Sequence, residues 1–288
     1  MSAAKNKPAA AAGTIGLGDL TVNRLGFGAM RVASDYIWGR RRNSAPMIDL
    51  LRRAFELGHT FFDTADSYGP NVSEDLIAEA LHPYPRELVI GTKGGFVRPG
   101  KHRWEECGRP DHLRSAVDGS LKRLKLEPID LYQFHVPDPN VPYAESMGAL
   151  ADLQRAGKIR HLGVSNVSAE QLKKARSIAP IVSVQNEYNV RDRSSDAVLA
   201  ACEKAGIAFI PWFPLGGDRK GALRSGQVKR IAERIAATPA QVALAWLLAR
   251  SPVMLPIPGT SSMEHLEENA ASAAIRLTAE DLATLAKA

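Results

Sequence analysis

The chain has 288 residues, a formal net charge of +6, 45% hydrophobic and 24% charged residues, an ordinary balance for a globular protein with one large core. No apolar run reaches the roughly 18 residues that span a bilayer, and the first thirteen residues (MSAAKNKPAAAAG) lack the apolar stretch of a secretory signal. The two cysteines, Cys107 and Cys202, form no CxxC and have no histidine at ligand spacing, which argues against a disulfide scaffold and against a structural zinc site, and makes a reducing cytoplasm the expected location.

Residues 1–13 are expected to form a flexible N-terminal segment, with a single domain over 14–288. That domain opens on a short hairpin at 14–22. Apolar, strand-like runs then recur at 25–28, 60–62, 88–92, 129–134, 159–164, 182–185, 208–212 and 253–257. Between them lie stretches of helical periodicity. The stretch 46–57 puts Ile48, Leu51, Ala54 and Phe55 on one face and stops at Gly58. A shorter stretch covers 74–81, and 111–124 begins at Asp111 as an N-cap and carries Leu113, Val117, Leu121 and Leu124. Further helices are expected at 143–156, 168–178 from a Ser168 cap, 195–205, 239–249 with proline in the first turn, 263–271 and 278–285. Eight strands, each followed by a helix, predict an α/β fold of the (β/α)₈ barrel type, with an N-terminal hairpin and extra C-terminal helices. Gly16-x-Gly18 and Gly26-x-Gly28 lack the third glycine of a dinucleotide loop, which disfavours a doubly wound sheet. The longer connections, 32–45, 94–110 and 213–226, all follow strands and so belong to the face where barrels place their active sites.

Four polar residues close three neighbouring strands. Asp63 ends the second, Tyr68 stands five residues on, Lys93 ends the third and His135 follows the fourth. Singly, each has a bland explanation as a cap, a turn residue or a buried histidine. Together they suit one task. A tyrosine, with a reference pKa near 10, is a poor acid unless a cation stands beside it. Lys93 supplies that cation, Asp63 orients Lys93, and His135 can hold a carbonyl oxygen.

The runs Phe62-Asp63-Thr64-Ala65-Asp66-Ser67-Tyr68-Gly69, Gly91-Thr92-Lys93, Asp130-Leu131-Tyr132-Gln133-Phe134-His135 and Ile159-Arg160-His161-Leu162-Gly163-Val164-Ser165-Asn166 resemble the aldo-keto reductase family in order and spacing. The resemblance covers about residues 14–288 and extends loosely to bacterial pyridoxal-reductase-like members. It implies a (β/α)₈ barrel with NADPH across its mouth (NADH not excluded), Tyr68 as general acid, Lys93 and Asp63 in support, and His135 orienting the carbonyl. It also implies cofactor contacts from Ser165, Asn166 and Gln185 to the carboxamide and from Trp212 to the ring. Gly28, Ala29 and Met30 are expected against the cofactor, as are Leu215 and Gly216. Gly259, Thr260, Ser261 and Ser262 are expected at the adenosine phosphate, with Glu268 and Asn269 at the adenine. No Lys or Arg occurs between Val253 and Ala274 to meet that phosphate; Arg219, Lys220 and Arg224 are the candidates to replace one.

Phe96, Trp104, Tyr36 and Trp38 are expected to wall a pocket for an apolar or aromatic aldehyde. The basic residues are scattered apart from Arg40-Arg41-Arg42, with no recognition motif for nucleic acid. The expected partner is therefore a small carbonyl compound, without nucleic acid or membrane, bound by a monomer or weak homo-oligomer. The competing functions are an NADPH-binding accessory or redox-sensor subunit with little turnover, and a metal-dependent barrel hydrolase, for which too few ligand-type residues close the strands.

Overall fold

In a computed structural model, residues 7–217 and 221–287 are described. Seven parallel strands form one curled sheet in the spatial order β11-β10-β9-β8-β5-β4-β3. They are β3 (Phe27–Gly28), β4 (Phe61–Asp63), β5 (Val89–Gly94), β8 (Ile129–Phe134), β9 (Ile159–Ser165), β10 (Ile181–Glu187) and β11 (Ala208–Trp212). The eighth expected strand, 253–257, is not a regular strand. Prolines 252, 256 and 258 lack the N–H that a ladder needs. The segment still closes the ring: on one side Phe209 N donates to Val253 O at 2.8 Å and Leu255 N to Phe209 O at 2.9 Å, and on the other Gly26 N donates to Pro256 O at 2.9 Å and Gly28 N to Pro258 O at 3.3 Å.

The helices are α1 (Ala45–Glu56), α2 (Val72–Leu81), α3 (Pro110–Leu124), α4 (Tyr143–Arg155), α5 (Ala169–Arg176), α6 (Asp196–Ala205), α7 (Gly221–Arg224), α8 (Gly226–Arg234), α9 (Pro239–Arg250), α10 (Met263–Ala271) and α11 (Ala279–Leu285). Ser168 caps α5 in a box with Gln171, as its position suggests, and Thr238 does the same for α9. Asp111 is not a cap. Helix α3 starts one residue earlier at Pro110, which leaves the acid in the first turn, where a carboxylate favours the helix dipole. No helix among the described residues is long and apolar enough to cross a membrane.

Side chains alternate across each strand, so every second residue faces the barrel axis. The inner rows run Phe61-Asp63, Val89-Gly91-Lys93, Leu131-Gln133, Ser183-Gln185 and Ala208-Ile210-Trp212. Their lower positions make the apolar interior: Phe61, Val89, Leu131, Ala208, Ile210, Leu255 and Ile257 form one buried cluster with Leu17 and Val22. Those last two come from β1 (Thr14–Leu17) and β2 (Leu20–Asn23), an antiparallel hairpin packed at the opposite end from the strand tips. Gly91 makes room for Phe61, whose ring would stand 2.8 Å from any added Cβ. The upper positions of the same rows are polar, and they build the site.

Two segments depart from expectation. Residues 1–6 lie outside the described residues, but 8–12 are not a flexible lead-in. Pro8–Ala12 forms a 3-10 helix with Ala9 fully buried, and Ala9 N donates to Leu57 O at 3.0 Å, satisfying a carbonyl left over at the end of α1. Small alanine side chains allow this close approach. The connection 94–110 contains an antiparallel hairpin, β6 (Phe96–Gly100) and β7 (Arg103–Glu106), beside the strand tips.

Candidate active site

Asp63, Lys93 and Gln133 lie at the tips of three successive inner rows, with Lys93 directly opposite Gln133 in the ladder. Lys93 is fully buried. Its Nζ donates to Asp63 Oδ1 at 2.6 Å and Thr64 O at 2.8 Å, and reaches Tyr68 Oη at 3.5 Å. Asp63 Oδ2 accepts from Gln133 Nε2 at 3.2 Å and from Gln185 Nε2 at 2.8 Å. A carboxylate can only accept, so it fixes both amides with their NH₂ groups inward. Asp63 thus binds both amides through one oxygen and Lys93 through the other.

The backbone delivers Tyr68 to this point. Thr64 N donates to Gly91 O at 2.8 Å and Asp66 N to Lys93 O at 3.1 Å, which folds the chain after β4 onto the tip of β5. Asn71, in the left-handed region at φ 70°, then turns it into α2. Behind the site, buried Glu74 accepts from Thr92 Oγ1 at 2.5 Å and from Arg123 Nε at 2.6 Å. Burial, followed by the charge of Glu74, pushes Asp66 well above the ordinary carboxylate range.

Burial raises the pKa of Tyr68, and the Lys93 charge only partly opposes it. The net effect keeps the proton on the phenol oxygen, while the Lys93 charge works in the direction of releasing it. For Lys93, burial works against the charge, but Asp63 and Tyr68 outweigh it and the ammonium is held above its usual value. His135 is pushed the other way: burial first, and then Lys93, hold its pKa well below that of a free imidazole, so the ring is neutral. Its Nδ1 has no partner among the described residues. Phe96 packs edge-on against it at 4.7 Å between centroids, and the Tyr68 ring stands 5.8 Å away. Trp104 lies 6.4 Å from Tyr68 and 5.5 Å from Phe96, so these two aromatics wall the site from one side. The arrangement can give a proton to an oxygen and neutralise the phenolate left behind.

The remaining expected residues fall on the same face. Asn166, at φ 57°, donates through Nδ2 to His135 O at 3.0 Å and to Ser165 Oγ at 3.2 Å, while its Oδ1 accepts from Trp212 Nε1 at 3.0 Å. Both amide protons are thus used within the protein, and Asn166 fixes the Trp212 indole. Gln185 spends its NH₂ on Asp63, which leaves its Oε1 as the group with acceptor capacity. These groups fit a nicotinamide: one flat ring held in place by Asn166, an amide and the Ser165 hydroxyl. Gly28 packs against the next segment so closely that a Cβ would lie 2.6 Å from Ile257 O; Ala29 and Met30 follow it in a 3-10 turn. Leu215 and Gly216 form the turn after β11, where Gly216 N donates to Phe213 O at 2.8 Å. Gly259 and Thr260 lead into α10; Thr260 Oγ1 accepts from Ser262 N at 3.0 Å, and Ser262 caps the helix through His265 N, with Ser261 exposed. Glu268 and Asn269 lie on α10, half-buried and buried. Arg224 lies in α7; Arg219 and Lys220 fall outside the described residues.

Gln133 was not among the expected site residues. The signal was available: it is the one amide in Leu131-Tyr132-Gln133-Phe134, two residues above inward-facing Leu131. Among the described residues no group of three or more His, Cys, Asp or Glu side chains is placed to hold a metal ion.

Residues 24–288 match the profile of the Aldo/keto reductase family. The pyridoxine 4-dehydrogenase of Escherichia coli (strain K12) is 44% identical over 278 residues, covering 94% of this chain and 96% of that protein. Among solved structures, a thermostable aldo-keto reductase in complex with the inhibitor epalrestat superposes with a TM-score of 0.83 at 33% identity, covering 95% of this chain and 98% of the other. An aldo/keto reductase from Klebsiella pneumoniae in complex with NADP and acetate gives a TM-score of 0.79 at 27% identity, covering 95% and 94%. With motifs, barrel and whole-length likeness in agreement, the chain belongs to the aldo/keto reductase family.

Proposed function

We propose that the protein reduces an aldehyde or ketone to the corresponding alcohol, with NADPH as reductant and Tyr68 as the proton donor. The observation that carries this reading is the buried Lys93 ammonium shared between Asp63 and Tyr68. When bound, the reduced nicotinamide supplies the hydride that reaches the carbonyl carbon. The protein's part is to manage the oxygen. As that oxygen gains negative charge, the Tyr68 phenol gives up its proton to it, and the Lys93 charge holds the resulting phenolate until it is reprotonated. Neutral His135 donates a hydrogen bond to the same oxygen without competing for the proton. Asp63, pinned by Gln133 and Gln185, keeps Lys93 in place throughout.

NADPH is favoured by the NADP complex of the Klebsiella pneumoniae relative, although no Lys or Arg lies between Val253 and Ala274. For the substrate, we favour a flat aromatic aldehyde of the pyridoxal type. The Phe96 and Trp104 walls suit such a ring, and the Escherichia coli relative bears the name pyridoxine 4-dehydrogenase. Steady-state rates with NADPH and NADH, over a panel of pyridoxal, 4-nitrobenzaldehyde and short aliphatic aldehydes, test the reading. Faster turnover of the aromatic aldehydes with NADPH supports it. NADPH binding without turnover of any carbonyl overturns it in favour of an accessory or sensor protein.

A further inference from the structure

Arg98, in β6, has no part in the proton path, yet all three of its nitrogens are engaged. Nε donates to Arg103 O at 3.1 Å, Nη1 to Ile37 O at 3.1 Å and Ser67 O at 3.0 Å, and Nη2 to Lys101 O at 2.9 Å and Tyr36 O at 3.5 Å. Every acceptor is a backbone carbonyl. The guanidinium also lies over the Trp104 ring at 3.7 Å and near the Trp38 ring at 5.3 Å. One side chain thus joins three separate pieces of the strand-tip face: the loop after β3, the turn between β4 and α2, and the hairpin β6–β7.

Two of these pieces matter for the reaction. In the first, Tyr36 and Ile37 both adopt left-handed backbone, at φ 60° and 56°. For β-branched Ile37 this conformation is costly and persists only where surrounding contacts impose it. Arg98 binds the carbonyl of each. In the second piece, Ser67 O accepts from Arg98 on one side of Tyr68, and Gly69 O accepts from Gly39 N at 2.5 Å on the other, where Trp38 also pairs with Gly69. The turn carrying Tyr68 is therefore tied at both flanks to the strained loop, directly at Gly69 and through Arg98 at Ser67. The same guanidinium presses on Trp104, which also stands edge-on to the Tyr68 ring at 6.4 Å between centroids.

We propose that Arg98 is a positioning residue for the reduction, setting the place of the Tyr68 phenol and of Trp104 by clamping the 36–39 loop to the Tyr68 turn. It rests on Tyr68 being the proton donor. A lysine cannot replace it, because the planar fork and the stacking on Trp104 are lost even though the charge is kept. The experiment compares wild type, Tyr68→Phe, Arg98→Lys and Arg98→Ala, using NADPH and 4-nitrobenzaldehyde. NADPH affinity is measured separately by fluorescence, and the primary isotope effect with deuterated NADPH reports the chemical step.

Both Arg98 variants are expected to lose about tenfold to a hundredfold in kcat, with NADPH affinity unchanged and a larger isotope effect. Should Arg98→Ala fail to fold, Ile37→Gly is combined with it, since glycine tolerates the loop conformation. The folded double variant is expected to keep the low kcat. Wild-type kcat in folded Arg98→Lys or Arg98→Ala, or its recovery in the double variant, overturns the assignment of Arg98 alone. Absence of Tyr68-dependent turnover in wild type overturns the assignment together with the reading on which it rests.

Discussion

Gln185 Nε2 donates to Asp63 Oδ2 at 2.8 Å, so one amide links the expected cofactor surface to the acid that orients Lys93. Gln133 donates to the same oxygen at 3.2 Å but belongs to the strand of His135. Replacing either amide by leucine removes one hydrogen bond from a buried carboxylate. Only Gln185 is also among the residues expected to meet the cofactor carboxamide. We expect Gln185→Leu to weaken NADPH binding about tenfold, the worth of one hydrogen bond to a polar partner. Gln133→Leu should leave cofactor affinity unchanged while still lowering kcat. Equal cofactor affinities in the two variants contradict this division, and fluorescence titration with NADPH reads it directly.

Lys93→Met tests the buried pair itself. Asp63 would keep its two amide donors but lose its counter-ion, and breaking a buried pair costs about 3 kcal/mol or more. The expected result is a lower midpoint in urea together with a loss of about a hundredfold or more in kcat, the range of acid–base assistance. Because the Lys93 charge opposes the upward shift of Tyr68, its removal should also push the Tyr68 phenol higher still in an ultraviolet pH titration. Adding Asp63→Asn is expected to restore part of the stability and none of the rate. Recovery of the rate in that double variant contradicts the role given to Lys93.

Buried histidines set the acid side of stability. His59 is fully buried, with Nδ1 3.0 Å from Leu25 O and Nε2 without a partner among the described residues. Burial lowers its pKa from 6.5 to about 4. The folded state thus binds this proton less readily than the unfolded chain. The stabilisation is complete above the unfolded value and is lost as the pH falls from 6.5 toward about 4, a loss of about 3 kcal/mol at roughly 1.4 kcal/mol per unit. His135 acts in the same direction. Urea unfolding across this range should show stability falling with pH in wild type and a shallower fall in His59→Gln. An unchanged slope in the variant contradicts it.

Much of the architecture was legible because its signals are local and periodic. The strands at 129–134 and 208–212 begin and end where the apolar runs do, and Ser168 caps α5 as read from its position. The tip residues Asp63 and Lys93 were legible because each breaks an apolar row at its end. What escaped depends on contacts between distant segments. The closing segment at 253–257 is apolar enough for a strand, but Pro252, Pro256 and Pro258 in and beside it remove N–H donors, so its ladder is broken into isolated pairs such as Leu255 N to Phe209 O. Pro8–Ala12 looks like a loose alanine run until the end of α1 lies beneath it. Helix α8 was missed just beyond the connection read as 213–226, although Val228, Ile231 and Ala232 keep helical spacing. Gln133 was passed over although it is the one amide in its apolar run, because its bond to Asp63 joins residues 70 apart. Arg98 has no sequence signal at all, since its acceptors are backbone carbonyls up to 62 residues away.

The central claim is that the Tyr68 phenol delivers the proton. The most direct measurement is kcat for NADPH-dependent reduction of 4-nitrobenzaldehyde by wild type and by Tyr68→Phe, with NADPH affinity determined in parallel. The substitution removes one oxygen from a buried ring and leaves Asp63, Lys93, Gln133 and Gln185 in contact. The account predicts a fall in kcat of about a hundredfold to ten-thousandfold with NADPH binding unchanged. A Tyr68→Phe protein that turns over at the wild-type rate contradicts it.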